Sequence, residues 1–215
     1  MSTDDFADMP PHVVTRPDDA IESLFALFSP HAHPVLLAKG QQLRHSDMAG
    51  FIYLFFDGRL SLIRDDDKLY LGHTTQKTVV GIINHFHPLH QYAWRAEQAS
   101  QLGCLPAAAA FDLVSQQGMW MEMMQVISFH FFYILKRDNR LTGHDSYTVI
   151  RNLIMELMQL PENIRQQLPL ASYIQKYTKL SRSNVMRILR ELKNGNYIET
   201  HRGFLIRVNK LPEKY

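Results

Sequence analysis

Apolar residues recur at helical spacing in the C-terminal part of the chain, three or four residues apart, which places them on one face of a helix. Ser181 is a suitable N-cap for this helix, and Gly195 follows the last apolar position, where a helix commonly ends. The pattern therefore predicts a helix over 181–193 with one buried face and one outward face. The apolar positions are Val185, Ile188, Leu189 and Leu192.

The segments around this helix predict a winged helix-turn-helix. Residues 170–177 have the pattern of a short helix, and residues 178–180 form a turn of helix-turn-helix length. Two strand-like runs follow at 197–200 and 204–208, joined by the glycine-containing segment His201-Arg202-Gly203. Helix, turn, helix and hairpin in this order are the elements of a winged helix.

The N-terminal half has the pattern of short strands. Residues 51–56 are an apolar run, Asp57-Gly58 is a hairpin turn signal, and residues 60–63 are predicted as the partner strand. An exposed turn, Asp65-Asp66-Asp67, precedes a further strand-like run at 69–72. Several strands at close spacing predict an antiparallel β-roll or jelly roll.

A long helix is predicted from about Met119 to Arg140, between the β-rich region and the winged helix. Apolar residues spaced 4, 3, 4 and 3 along it form the seam of a coiled coil, so we expect a homodimer interface here. The alternative is an ordinary buried helix. A second stripe, expected to face the barrel, contains Met121, Met123, Phe132 and Leu135. The seam contains Trp120, Met124, Ile127, Phe131 and Ile134.

The predicted fold class is therefore α+β, in four segments. A flexible tail is expected over residues 1–17 and an antiparallel β-roll or jelly roll, of the sensor type, over 18–118. A dimerisation helix and hinge are expected over 119–143, and a C-terminal winged helix-turn-helix over 144–215. Length agrees with this division, because 215 residues make one large or two modest domains.

Charge is divided unevenly along the chain, and the division favours nucleic-acid binding. Residues 147–215 hold 12 Lys and Arg against 5 Asp and Glu, although the whole chain has a net charge of only +2. A basic end on a mildly acidic body is typical of a protein that binds DNA phosphates. Outward arginines near a helix N-terminus also suit guanine edges in the major groove. The candidate DNA-contacting residues are Lys179, Ser181, Arg182, Ser183, Asn184, Arg187, Arg190, His201 and Arg202.

Other features exclude several classes of protein. One cysteine excludes an internal disulfide, and Cys104 between Leu102 and Leu105 has the pattern of a buried side chain. The acidic N-terminus lacks a signal-peptide core, and no apolar run reaches the length of a membrane helix, so we expect a cytoplasmic protein. No phosphate loop, nucleophile elbow or paired-carboxylate motif is present, which argues against an enzyme.

Three histidines form the one cluster with metal-ligand chemistry. His85 and His87 would share a face if this segment were a strand, and His90 follows closely. Pro88 interrupts the pattern, and no cysteine or carboxylate lies nearby in sequence. The cluster is therefore interpreted as a polar loop, with a haem- or metal-sensing site as the alternative. No cofactor and no metal are assigned.

The segment Ser181-Arg182-Ser183-Asn184-Val185-Met186-Arg187-Ile188-Leu189 resembles the recognition helix of the cyclic-AMP receptor/FNR family of bacterial transcription regulators. Lys39-Gly40 and Asp57-Gly58 also match, and the resemblance extends over nearly the whole chain. It implies a homodimer that binds double-stranded promoter DNA, with Arg182 and Arg187 on base edges and RNA polymerase as a further candidate partner. A protein-interaction module with a degenerate winged helix remains the alternative.

The resemblance weakens at the effector pocket. Gly81-Ile82-Ile83 and Gln91-Tyr92 stand where that family has a ribose-binding glutamate and a phosphate-binding arginine, so we expect no response to cyclic AMP. The effector is left unassigned. Residues 195–199 and 209–212 resemble an enterobacterial subgroup associated with repression of hydrogen-peroxide resistance, which implies a role in the oxidative stress response.

Overall fold

The computed structural model describes residues 15–212, so most of the predicted 1–17 tail lies outside the described residues. The helices are α1 (Asp18–Phe28), α2 (His45–Met48), α3 (Ile82–Phe86), α4 (Ala107–Gln117), α5 (Trp120–Leu141), α6 (Ser146–Gln159), α7 (Glu162–Arg165), α8 (Leu170–Tyr177) and α9 (Arg182–Asn194). The strands are β1 (His33–Leu37), β2 (Gln42–Arg44), β3 (Phe51–Asp57), β4 (Leu60–Arg64), β5 (Tyr70–Thr74), β6 (Thr78–Val80), β7 (Tyr92–Ala96), β8 (Ser100–Pro106), β9 (Ile198–His201) and β10 (Phe204–Val208).

The strands of the N-terminal half form two four-stranded sheets in the orders β1-β8-β3-β6 and β2-β7-β4-β5. Every pairing is antiparallel, and β9 and β10 form the separate hairpin of the winged helix. The predicted α+β fold class, a β-roll followed by a long helix and a winged helix-turn-helix, is therefore confirmed.

The predicted hairpin between residues 51–56 and 60–63 is wrong, because β3 and β4 lie in opposite sheets. β3 pairs with β8 and β6, whereas β4 pairs with β5 and β7. At the crossing, Gly58 has φ +112°, and a Cβ there would lie 2.4 Å from Ser100 Oγ. Glycine is required because the two backbones approach so closely.

β3 is apolar along most of its length because both of its faces are covered. Ile52 and Leu54 pack under α1, α4 and α5, while Tyr53 and Phe55 fill the space between the two sheets. A strand covered on both sides loses the alternation of apolar and polar residues that a half-exposed strand shows.

α5 divides its apolar residues between the β-roll and solvent. Met123 and Val126 are buried against the core around α1 and α4, and Ile127 packs at its edge. The expectation that the second stripe faces the barrel is confirmed for Met123 and wrong for Met121, Phe132 and Leu135, which are 67%, 38% and 51% exposed. The exposed apolar residues of α5 are Trp120, Met121, Met124, Phe131, Phe132, Ile134 and Leu135.

The C-terminal helices and the hairpin share a core that continues into the β-roll. Ile63, Tyr70 and Ala93 of the roll belong to the same buried cluster as α6, α8 and α9. The winged helix therefore packs directly on the sheet that contains β4, β5 and β7.

Candidate DNA-binding surface

The predicted recognition helix is present as α9, and its N-terminus is capped as expected. The Oγ of Ser181 accepts a hydrogen bond from the backbone N–H of Asn184 at 3.3 Å, which satisfies one of the free donors of the first turn. The four predicted apolar positions are all buried against α6 and α8. Burial of that face fixes the opposite face outward.

Arginine side chains project from the outward face of α9. Arg182, Arg187 and Arg190 are all exposed, and Arg187 is 58% exposed. The guanidinium of Arg187 donates to Glu191 at 3.0 Å and to the Oδ1 of Asn184 at 3.2 Å. These contacts hold the guanidinium along the helix surface, while more than half of the Arg187 side chain stays exposed.

Two other predicted contact residues are engaged within the protein. The side-chain amide of Asn184 donates to the Oγ of Ser146 at 3.0 Å, while its Oδ1 accepts from Arg187. Ser183 lies 3.1 Å from Ser181, oxygen to oxygen. Asn184 thus ties α9 to the start of α6, and the exposed arginines are the freer members of the set.

The wing lies beside α9 and is tied to the start of α8. The backbone N–H of Leu170 donates to the carbonyl of Gly203 at 2.9 Å, and Pro169 forms a β-bridge with Phe204. Arg202 and Gly203 at the wing tip have φ angles of +49° and +89°. This tight turn leaves His201 and Arg202 exposed at the edge of the surface.

Lys179, in the turn between α8 and α9, forms an ion pair with Asp67 of the β-roll at 2.6 Å. Two residues earlier, the hydroxyl of Tyr177 lies 2.8 Å from the Nδ1 of His73. No pattern in the sequence indicates a functional role for Asp67 or His73. The run Asp65-Asp66-Asp67 was visible as an exposed turn, but nothing local to it indicates a partner in the winged helix.

A cavity of about 540 Å³ lies between the β-roll and α5. Its walls include Ile82, Tyr92 and Trp94 from the roll and Tyr133 from α5, and no Gln91 atom lines it. The two positions where the resembling family has a glutamate and an arginine therefore present neither charge to this space. The wall is mostly apolar, but it also includes polar side chains, among them Arg16, Thr78 and Asn84.

Two histidines line the same cavity. Burial, with the nearby charge of Arg59, lowers the pKa of His73 to about 4, and burial, with Arg16, lowers the pKa of His130 to about 4. The Nε2 of His130 lies 3.0 Å from the Oγ1 of Thr78. Both rings are neutral at pH 7, and His73 connects the cavity wall to Tyr177 of α8.

The histidines at 85, 87 and 90 do not converge. Residues 82–86 form the short helix α3 rather than a strand, so the alternate spacing does not place His85 and His87 on one face. The ring of His85 contacts Phe111, and the ring of His90 contacts His45. Within residues 15–212, no group of three His, Cys, Asp or Glu side chains is arranged to hold a metal ion.

Comparisons with known proteins give the class of this fold. A family model described as winged helix-turn-helix DNA binding matches residues 146–213. The structure of the c-di-GMP-responsive global regulator CLP from Xanthomonas campestris has a TM-score of 0.70 and 18% identity, covering 88% of this chain and 100% of that one. The structure of a crp/fnr-family regulator from Eubacterium rectale has a TM-score of 0.65 and 14% identity, covering 87% of this chain and 90% of that one. The chain thus has the fold of the cyclic-AMP receptor/FNR regulators, with a winged helix-turn-helix at its C-terminal end.

Sequence relatives narrow this class. The chain is 30% identical over 164 residues to the inhibitor of hydrogen peroxide resistance of Salmonella typhimurium, covering 76% of this chain and 79% of that protein. The protein of the same name in Escherichia coli K12 is 28% identical over 167 residues, with the same coverage. The chain belongs to the family of this inhibitor. None of the helices described within residues 15–212 has the length and apolarity needed to cross a membrane.

Proposed function

We propose that this protein is a sequence-specific transcription regulator that binds double-stranded promoter DNA as a homodimer. The observation that carries the proposal is α9: its apolar face is buried, and Arg182, Arg187 and Arg190 project from the opposite face. Guanidinium groups at such positions pair with guanine in the major groove. Arg202 and His201 on the wing would contact phosphates beside the groove, as would a freed Lys179.

The dimer would form through α5. Seven large apolar side chains on this helix are exposed, including Phe131 at 62%, and an exposed stripe of this kind is typical of a helix that packs against a partner. Trp120, Met124 and Ile134 lie in the proposed seam, with Ile127 at its edge because it also packs within its own chain. Two winged helices related by a twofold axis would then bind two half-sites.

The proposal gives each part of the chain a role. Residues 18–118 would form the sensor-type roll, 119–143 the dimerisation helix and hinge, and 144–215 the DNA-binding domain. Regulation would not depend on cyclic AMP, since Ile82 offers no partner for ribose and Gln91 carries no charge for phosphate. The names of the relatives support genes of hydrogen-peroxide resistance as targets. RNA polymerase would be a further candidate partner at promoters.

Selection of bound DNA from a pool of random duplexes tests the function. We expect enrichment of a twofold-related sequence with half-sites about one helical turn apart. Affinity for the enriched duplex should fall steeply with salt, by a log–log slope near −0.9 for each phosphate contacted. Arg44→Ala, an exposed arginine on the roll, serves as the control and should leave the selected sequence and the affinity unchanged. No enrichment of any duplex would favour a protein-interaction module.

A further inference from the structure

The turn between β4 and β5, residues Asp65–Asp67, presents a fixed carboxylate to the winged helix. Asp67 accepts hydrogen bonds from the guanidinium of Arg64 at 2.6 and 3.0 Å and from the backbone N–H of Leu69 at 3.1 Å. These bonds hold the carboxylate in one orientation within its own domain. One of its oxygens remains directed at the turn between α8 and α9.

Lys179 occupies that turn and reaches across to the β-roll. Its ammonium lies 2.6 Å from the Oδ2 of Asp67, although its side chain is still 57% exposed. The hydrogen bond from Arg64, and after it the one from Lys179, makes the largest contribution to holding the pKa of Asp67 well below its usual range. The carboxylate is therefore charged at every physiological pH.

Neighbouring residues dock the same end of α8 on the roll. The ammonium of Lys176 lies 3.3 Å from Glu97, and its charge sits 4.8 Å from the centre of the Tyr70 ring. The hydroxyl of Tyr177 lies 2.8 Å from His73. Contacts from three positions within four residues place the α8–α9 turn against the roll.

In helix-turn-helix proteins the first helix crosses the DNA backbone while the second lies in the major groove. Lys179, between these two helices, would then lie beside a phosphate. A phosphate and the Asp67 carboxylate are anions of similar hydrogen-bonding chemistry, and both would occupy the same ammonium group. Since Asp67 is covalently part of the protein, its effective concentration at Lys179 is high.

We infer that Asp67 competes with a DNA phosphate for the ammonium group of Lys179. The ion pair between Asp67 and Lys179 is autoinhibitory, because it must open before the winged helix can bind its DNA site. This inference rests on the proposed DNA-binding function. It adds a means by which the roll limits DNA affinity, through a contact made by the β4–β5 turn and not through the recognition helix.

Asp67→Asn tests the competition, because asparagine keeps the size of the side chain and an acceptor for Leu69. We expect duplex affinity at low salt to rise about two- to fivefold, the range of an exposed ion pair. A matched control separates other causes. Asp66→Asn makes the same charge change in the same turn, at a residue that does not contact Lys179. It should not reproduce the gain, and an equal gain in Asp66→Asn would overturn the inference.

Zero-length carbodiimide cross-linking observes the ion pair itself, since it joins a carboxylate to an amine already in contact. The full-length wild-type chain should yield a linked peptide containing Asp67 and Lys179, and Asp67→Asn should yield none. Addition of the selected duplex should reduce the yield, whereas a scrambled duplex at the same concentration should reduce it less. Absence of the linked peptide in the free protein would overturn the inference.

The two proposals fail in different ways. If the protein is not a DNA-binding regulator, no duplex will be bound by the wild type or by any variant. If Asp67 does not compete with DNA, the wild type will bind its duplex, and the yield of the Asp67–Lys179 cross-link will be the same with and without that duplex.

Discussion

Among the residues proposed to contact DNA bases, Arg187 has a guanidinium whose position on α9 is defined by contacts within the helix. Its guanidinium is held by Glu191 at 3.0 Å and by Asn184 at 3.2 Å, on the outward face of α9. The exposed pair with Glu191 is weak, on the order of 0.2–1 kcal/mol, so a guanine edge can replace it.

His73 and His130 make the stability of the fold depend on pH. Their pKa values of about 4 lie below the ordinary value of 6.5, so the folded protein binds fewer protons than the unfolded chain between these two pH values. The free energy of unfolding should fall as the pH falls from 6.5 towards 4, and between pH 7 and pH 5 by about 1–2 kcal/mol for each histidine. Urea titrations at pH 7 and pH 5 measure this change.

Asparagine variants isolate the contribution of the two histidines. The double substitution His73→Asn and His130→Asn should reduce the loss of stability between pH 7 and pH 5, whatever it does to stability at pH 7. The same change at exposed His31 should leave the pH dependence as it is in the wild type. An unchanged pH dependence in the double variant would show that these rings are not held neutral.

Single residues could be predicted from the sequence where their role is local. Ser181 was identified as a cap because a cap needs only its own helix, and the structure confirms it. The contacts of Asp67 with Lys179 and of His73 with Tyr177 were not predicted. The second pair is 104 residues apart in sequence, and no local pattern reports on contacts at that separation.

α5 shows what element-scale patterns can and cannot establish. Its apolar spacing predicted the helix, but the stripe that was expected to face the roll does so only at Met123. In the structure Met123 and Val126 are buried, while Met121 and Leu135 are exposed. The face of α5 that is buried depends on the angle between α4 and α5, which are joined at Gly118 with φ +67°. This angle is a property of the tertiary structure and not of the apolar spacing.

The exposed stripe of α5 gives the test of the dimer. Phe131→Glu would place like charges across the proposed twofold seam, which costs several kcal/mol, so we expect the dimer dissociation constant to rise at least about a hundredfold. Light scattering combined with size-exclusion chromatography measures the mass. Phe131→Leu keeps an apolar side chain and should remain a dimer. A stable dimer of the glutamate variant with a native circular-dichroism spectrum would place the interface elsewhere.

The β3–β4 connection shows why topology is harder to predict than the strands themselves. Asp57-Gly58 has the composition of a hairpin turn, yet the chain crosses from one sheet to the other there. The glycine is explained by the close approach of Ser100 and not by hairpin geometry. Both strands were placed correctly along the chain, because burial patterns are local and pairing partners are not.

At the scale of the whole molecule, the roll and the winged helix share one core. Ile63, Tyr70 and Ala93 belong to the cluster that also holds the helices of the winged domain. The cavity beside α5 has His73 in its wall, and His73 contacts Tyr177 at the end of α8. A change at the cavity therefore has a direct physical route to the surface that is proposed to bind DNA.

We expect the full-length dimer to recognise a DNA sequence through α9, while the wing supplies sequence-independent affinity. Titration of the selected duplex and a scrambled duplex with wild type, Arg187→Ala and Arg202→Ala, at several salt concentrations, tests it most directly. Arg187→Ala should lose about 1–3 kcal/mol of discrimination between the duplexes. Arg202→Ala should weaken both alike and lower the salt slope by about one. An unchanged ratio of affinities in Arg187→Ala would contradict the claim that α9 is the recognition element.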